Sequence, residues 1–540
     1  MKMSDNTISN LAAAAALAAV FVFWFVFHPE YLNYHEQNQL FLLTADYLAA
    51  RLAVPGGLAD WLSEGVVQFF CVPWIGALLL SAVLVGTGLM CGVRRRVAAL
   101  VVPALLMVHM GDPNALVSFP VALLMVLAAA RALSHASVLA DALALLVLYW
   151  LAGPVAVAYW LIRCLQRCHS VVWSVGLLAV PMVAALVAHA TVLGQYPLRS
   201  IGLGINYYRV PMQTPALQVA IPVTAVLVYV CPCPAAGLAA WLRTVPGRLT
   251  QAGAVLAVAC VGVAACFPRE LTELLRADML VRLGRWDAII SRAESYMPHS
   301  AFASQCVNLA LAQRRQLAER QFEFYQSGSD ALIQRCVRDN TTDLPSAEAF
   351  YHLGMVNSCL RYYSDIQESI LNARKSGRCE KRIAECLIVN GDYRVAQKHL
   401  DLLKKSLFYA AWARDAERCI AAGRVDEHPR WGWMRRQRFK ENFLYDYVEI
   451  DKVLGRLFLN NRQNTMALDY FLAQMLLDGN VQGFAQYLPL AQTYGGHPDM
   501  PAGYADAIRC IRAQGRVDSS PYADYARRQM SRSQTERSEK

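Results

Sequence analysis

"AAAAALAAVFVFWFVF", residues 12–27, runs without a break into "HPEYLNYHEQNQLFLL", residues 28–43. With its apolar flank, the first run reaches roughly the ~20 residues a membrane-spanning helix needs. No small-residue cleavage site precedes the next apolar segment, so the run is expected to stay in place as a signal anchor. The second stretch sets His35, Glu36 and Gln37 just beyond that span and turns apolar again at Leu40. What surrounds these polar residues depends on how often the chain crosses afterwards.

The composition divides the chain. Of its 540 residues, 56% are hydrophobic and 17% charged, whereas soluble chains carry about a quarter charged residues. The long apolar runs fall almost entirely within 8–267, and 268–540 has ordinary soluble composition. The expected domains are therefore a polytopic membrane domain at 1–267, a soluble domain at 268–525 and a disordered polar tail at 526–540. The formal net charge of +10 is spread over short basic loops and "RRQRFK" at 435–440, too diffuse to imply nucleic acid.

Apolar windows lie near 9–27, 66–91, 97–110, 115–131, 138–152, 154–166, 171–194, 217–237 and 250–267, about nine spans. Pro154 in "WLAGPVAV" marks a break, because proline cannot continue a helix without losing a hydrogen bond. Joining the windows on either side of it into one kinked helix gives eight spans instead. Loop charge favours nine. With a cytoplasmic N-terminus, nine spans put Arg94, Arg95, Arg96, Arg131, Arg163, Arg167, Arg243 and Arg248 inside, and only Arg51, Arg199 and Arg209 outside. The first loop and residues 268–540 then face away from the cytoplasm.

From 268 onward the pattern is of paired amphipathic helices. "ELLRADMLVRLGRWDAIISRAESYMP" turns at Gly284, "KRIAECLIVNGDYRVAQKHLDLLKKS" at Gly391, and "LGRLFLNNRQNTMALDYFLAQML" at Asn460-Asn461. Ala396 and Ala467 allow close helix approach, and each pair buries its stripe against the next. The segments are similar to tetratricopeptide repeats with irregular spacing. The fold class is thus all-α, a polytopic helical domain followed by a helical-repeat domain whose plainest role is binding or packing. The fifteen cysteines lack disulfide-framework spacing, and "CPCP" at 231–234 and "CLQRCH" at 164–169 match metal spacings only loosely.

The outer loops gather the candidate site. Glu36 and His35 come from the first loop, His109 and Asp112 from "HMGDPN", and Arg199, Tyr208 and Arg209 from "GQYPLRSIGLGINYYRVP". Ionisable groups at a bilayer boundary are costly unless paired or hydrated, which makes them functional candidates. Leu40, Phe41, Leu43, Tyr47, Leu48 and Leu52 share a helical face, which predicts a helix lying on the membrane surface after Glu36.

This layout resembles the polyprenyl-phosphate-sugar glycosyltransferases of the C-type membrane fold. The likeness lies in an acidic residue in a long first external loop, an interfacial helix after it, a second acidic residue in the next external turn, and an extracytoplasmic C-terminal domain. Those enzymes usually have Asp in the first loop, often as a pair, whereas here Glu36 stands beside His35. The resemblance implies Glu36 and Asp112 as catalytic carboxylates and His35, His109, Arg199, Arg209 and Tyr208 as substrate-binding residues. It implies a polyprenyl-phosphate donor held at the lipid surface, with or without a divalent metal ion. Across its whole length, on "YLNYHEQNQLFLLTADYL", "PGGLADWL" and "RIAECLIVNGDYRVAQKHLDLLKKSLFYAAWA", the chain is similar to a family of bacterial multi-pass proteins known as a domain of unknown function, which implies no activity. The alternative from another class is a non-catalytic, membrane-anchored scaffold whose repeats bind an envelope protein. It leaves eight spans beyond the anchor without a purpose. A transporter is disfavoured because mid-membrane charge is almost absent.

Overall fold

The computed structural model describes residues 5–92, 97–167, 171–203, 215–230, 241–242, 244–370, 374–439, 449–495, 499–513 and 519–538. Helices account for every regular element among them, with no β-strand. The chain forms two compact units, Met1–Thr272 with Lys405–Phe408, and Glu273–Lys404 with Tyr409–Lys540.

In the first unit, α1 (Asp5–Val22) ends in a π-helical turn, Phe23–Phe27. Pro29 then opens α2 (Pro29–Gln37), where its missing N–H costs nothing. The expected surface helix directly after Glu36 is not continuous. Residues 39–43 lie outside any helix, with Leu40 and Phe41 buried, and the helix restarts as α3 (Ala45–Leu52). Thr44 caps α3 by accepting from the Tyr47 N–H at 3.3 Å. After α4 (Gly57–Val67) follow α5 (Pro73–Cys91), α6 (Val101–His109), α7 (Ser118–Ala132), α8 (Val138–Ala152), α9 (Val157–Arg167), α10 (Val171–Thr191), α11 (Leu198–Leu203), α12 (Pro215–Val230) and the helix Val245–Cys266.

Among the described residues, four stretches are long and apolar enough to cross a membrane: Asn10–Phe27, Pro73–Cys91, Val138–Gln166 and Val245–Cys266. The third is not one rod. Gly153 adopts φ +70°, Pro154 follows it in a 3-10 turn, and the chain reverses. Arg163 Nε then meets Asp141 Oδ1 at 2.9 Å, so the far ends of α8 and α9 lie side by side as a hairpin. Tyr159 donates to the same carboxylate oxygen at 2.7 Å, and Arg163 also reaches the Ser134 carbonyl and Gln166. A guanidinium 1% exposed is tolerable only with this degree of pairing.

Two sets of loops emerge at opposite helix ends. At one, the Gly56 N–H donates to the Trp150 carbonyl at 2.9 Å, Trp150 Nε1 to the Leu52 carbonyl at 2.9 Å, and the Tyr149 hydroxyl to the Ile201 carbonyl at 2.8 Å. At the other, Arg163 holds Ser134 and Arg131 holds the Leu89 carbonyl, while the Ala98 N–H donates to Gln251.

The second unit is built from helix pairs. Arg269–Arg282 turns at Gly284 (φ +64°) into Trp286–Ser295, and Gly377–Asn390 turns at Gly391 (φ +89°) into Tyr393–Leu403, as the sequence predicts. Ile450–Asn460 pairs with Thr465–Leu477, which Asn464 caps. Ala396 and Ala467 are fully buried. Part of the basic stretch at 435–440 is structural: Arg435 donates to the Ile388 and Val389 carbonyls, at the negative C-terminal end of Gly377–Asn390. Within the tail at 526–540, the described residues continue the helix Pro521–Ser538. Tyr522 packs edge-on to Phe322 at 5.0 Å and Tyr525 meets the same ring at a tilt at 5.1 Å, and the two anchor its first turns.

Candidate loop-layer site

The His35-bearing helix and the α6–α7 turn meet. Pro29 starts α2, and the helix carries Tyr31, Tyr34, His35 and Glu36 into buried positions. His35 donates to the Met110 backbone carbonyl, and burial draws its imidazole down to about 4 despite that bond. His35 is 2% exposed and His109 fully buried, within electrostatic reach of each other. The His109 ring packs edge-on to Phe119 at 5.1 Å. Two residues past Met110, one oxygen of Asp112 accepts from the Asn114 N–H at 2.9 Å and so shapes the turn it sits in. Glu36 and Asp112 are 3% and 2% exposed.

Phe267, at the end of the helix Val245–Cys266, organises this layer. Its ring lies 5.2 Å from Phe23, 4.9 Å from His28 and 5.0 Å from Tyr31. A Cβ on Gly111 would come within 2.5 Å of that ring, so glycine is what lets the turn close onto it. Beside α2, Tyr31 approaches Thr272 at 3.3 Å, and His28 meets Glu30 at 3.1 Å.

Sequence reasoning passed over a second polar group here. Glu64 on α4 receives Arg51 Nε at 3.0 Å and the Tyr47 hydroxyl at 2.6 Å. With Asp60, the loop layer buries five carboxylates: Glu30, Glu36, Asp60, Glu64 and Asp112. The available signal was carboxylates amid apolar residues in "LADWLSEGVVQFF". Phe267 and Gly111 carry no such signal, because their roles are steric.

Of the predicted residues, the structure joins His35 to Met110 and sets His109 beside it, on the segments that carry Glu36 and Asp112. Arg199 is exposed on α11, which Tyr149 ties to α8 through Ile201. Tyr208 and Arg209 lie outside the described residues, as do "CPCP" at 231–234 and the Cys168-His169 end of "CLQRCH". Among the described residues no three His, Cys, Asp or Glu side chains group as metal ligands.

The family described as "Family of unknown function (DUF6057)" matches residues 4–537. No curated protein and no solved structure matches the chain.

Proposed function

Since the chain belongs to the family of unknown function DUF6057, whose description supplies no chemistry, we propose from the loop layer that it transfers a sugar from a polyprenyl-phosphate donor. It acts at the outer face of the bacterial inner membrane, with the N-terminus cytoplasmic and residues from 268 onward periplasmic. The Glu36 carboxylate takes the proton of an acceptor hydroxyl, and that oxygen bonds to the anomeric carbon as the bond from carbon to phosphate oxygen breaks. The polyprenyl phosphate leaves with the electron pair. Arginine suits its charge, and Arg199 and Arg209 are the candidates in the last external loop. Asp112 orients the acceptor.

The observation that carries this reading is the His35–Met110 contact, which tethers the Glu36 helix to the Asp112 turn with both carboxylates buried. A membrane-anchored scaffold has no need of buried carboxylates in that layer. The test is to express Glu36→Gln and Asp112→Asn in a deletion strain and compare membrane level with envelope glycan profile. Loss of a general base lowers the rate by roughly 10²–10⁴-fold, so Glu36→Gln is expected at normal level with the deletion's profile. If both variants restore the wild-type profile, the scaffold replaces the enzyme.

A further inference from the structure

Among the buried polar atoms, the imidazoles of His35 and His109 stand apart. The donation from His35 to the Met110 carbonyl engages one ring nitrogen, and the Nε2 atom is buried without a hydrogen-bond partner. Nδ1 therefore carries the proton, and Nε2 presents a lone pair. Both ring nitrogens of His109 are likewise buried and unpartnered. A neutral imidazole has one donor and one acceptor, so the pair offers two acceptors and one donor to whatever enters. Leaving such groups unsatisfied costs about 1–3 kcal/mol each, and neither ring is needed to pair with a charge. A metal ion would need further ligands, and no third His, Cys, Asp or Glu joins them among the described residues.

Building on the glycosyl-transfer reading above, we propose that His35 Nε2 and the His109 ring bind hydroxyl groups of the sugar carried by the donor. Hydroxyls fit because each can donate to a lone pair and accept from an N–H, matching the two rings together. His35 then does two jobs with two atoms: Nδ1 fixes the loop to the α6–α7 turn, and Nε2 receives the ligand. Glu36, the next residue, is held in register with the bound sugar by the same contact.

The two jobs separate genetically. Asn presents an amide N–H where His has Nδ1 but nothing at Nε2, so His35→Asn keeps the bond to Met110 and deletes the acceptor. His109→Phe keeps ring volume and deletes both nitrogens. Thermal unfolding of the full chain in detergent is followed with ten-carbon polyprenyl phosphates bearing glucose, mannose or N-acetylglucosamine, and with the bare ten-carbon polyprenyl phosphate. The wild type should be stabilised more by at least one sugar-bearing lipid than by the bare one. His35→Asn should keep the ligand-free midpoint and the response to bare lipid. It should bind the sugar-bearing lipid roughly tenfold more weakly, about the worth of one hydrogen bond, and His109→Phe should also lose the extra stabilisation.

The inference is overturned, with glycosyl transfer intact, if His35→Asn and His109→Phe retain the sugar-dependent increment or if no sugar adds to the bare lipid. It is overturned as well if His35→Asn lowers the ligand-free midpoint as far as His35→Ala does, since the ring would then be purely structural. Stabilisation by Zn²⁺ instead of sugar, lost in His35→Asn, would make the occupant a metal ion and reject the hydroxyl assignment. If neither lipid stabilises the wild type, the donor class fails and both readings fall.

Discussion

Glu348 holds a charge where water scarcely reaches, at 1% exposure, because Arg378 and Arg382 meet its two oxygens at 3.2 and 3.0 Å and Tyr363 donates to it. Arg378 also engages Asp278 at 2.9 Å, and Arg382 engages Glu385 at 2.7 Å. Burial opposes the charge, but the two guanidiniums outweigh it and hold the carboxyl well below the usual range. A depressed carboxyl contributes stability that is complete above its unfolded-state value and is lost as pH falls through the folded one. The wild type should therefore lose unfolding free energy as pH drops below about 4.5, and Glu348→Gln should show a shallower loss. At pH 7 the same substitution leaves the buried Arg378 and the half-buried Arg382 each short of one counter-ion and should cost about 3 kcal/mol. Urea titrations at pH 7, 5 and 3.5 read both effects; an unchanged pH slope would remove Glu348 as the titrating group. None of this was legible in the sequence, since the partners come from positions 278, 378 and 382 with no local pattern linking them. Glu36 and Asp112 were legible as candidates because polar residues stood out against apolar neighbours.

At the scale of elements, legibility followed backbone chemistry. Gly284, Gly391 and Pro154 mark turns by the conformations they permit or forbid, and each turn stands where the sequence puts it. The segment from Leu40 to Leu52 did not behave so. Its apolar spacing suits a helix, yet Leu40 and Phe41 are buried in a non-helical segment, and periodicity alone cannot separate those outcomes. The α8–α9 hairpin is sealed at its open end by Asp141 and Arg163. Asp141→Leu alone strands a buried guanidinium and should cost about 3–5 kcal/mol, seen as lost membrane level and a lower unfolding midpoint. Adding Arg163→Met should recover most of it, because an apolar pair of similar volume avoids the desolvation. A double variant no better than the single would mean that the pair's hydrogen bonds to Ser134 and Gln166, not its charge balance, hold the hairpin. Helix approach follows another rule: Gly262 faces Val108, where a Cβ would come within 2.4 Å. Gly262→Leu should force that contact of α6 apart, at about 1–3 kcal/mol for overpacking.

For the whole molecule, the loop contacts and the loop charges bear on one question, namely which side each segment faces. Asp141 lies at one end of α8 and Tyr149 and Trp150 at the other, so the contacts of Ser134 with Arg163 and of Trp150 with Leu52 belong to opposite ends of the same helices. The first end carries Arg131 and Arg163, and the second carries Arg51 and Arg199. Over the whole sequence, the nine-crossing reading puts eight loop arginines on the side of the first end and three on the other, and from that bias we infer a cytoplasmic first end. Folding α8 and α9 into a hairpin counts two crossings where a single kinked helix would count one, and under the proposed nine-crossing reading this keeps the total odd between the N-terminus and residue 268. An odd total places the chain's two ends on opposite sides. A fluorescent reporter that matures only in the cytoplasm should therefore be bright when fused after Gln166 and dark after Lys540, while a periplasm-dependent phosphatase should behave the opposite way. A bright fusion after Lys540 would mean an even count, move the His35–Met110 layer to the cytoplasmic side or unmake the hairpin's two crossings, and withdraw the outer-face chemistry with it.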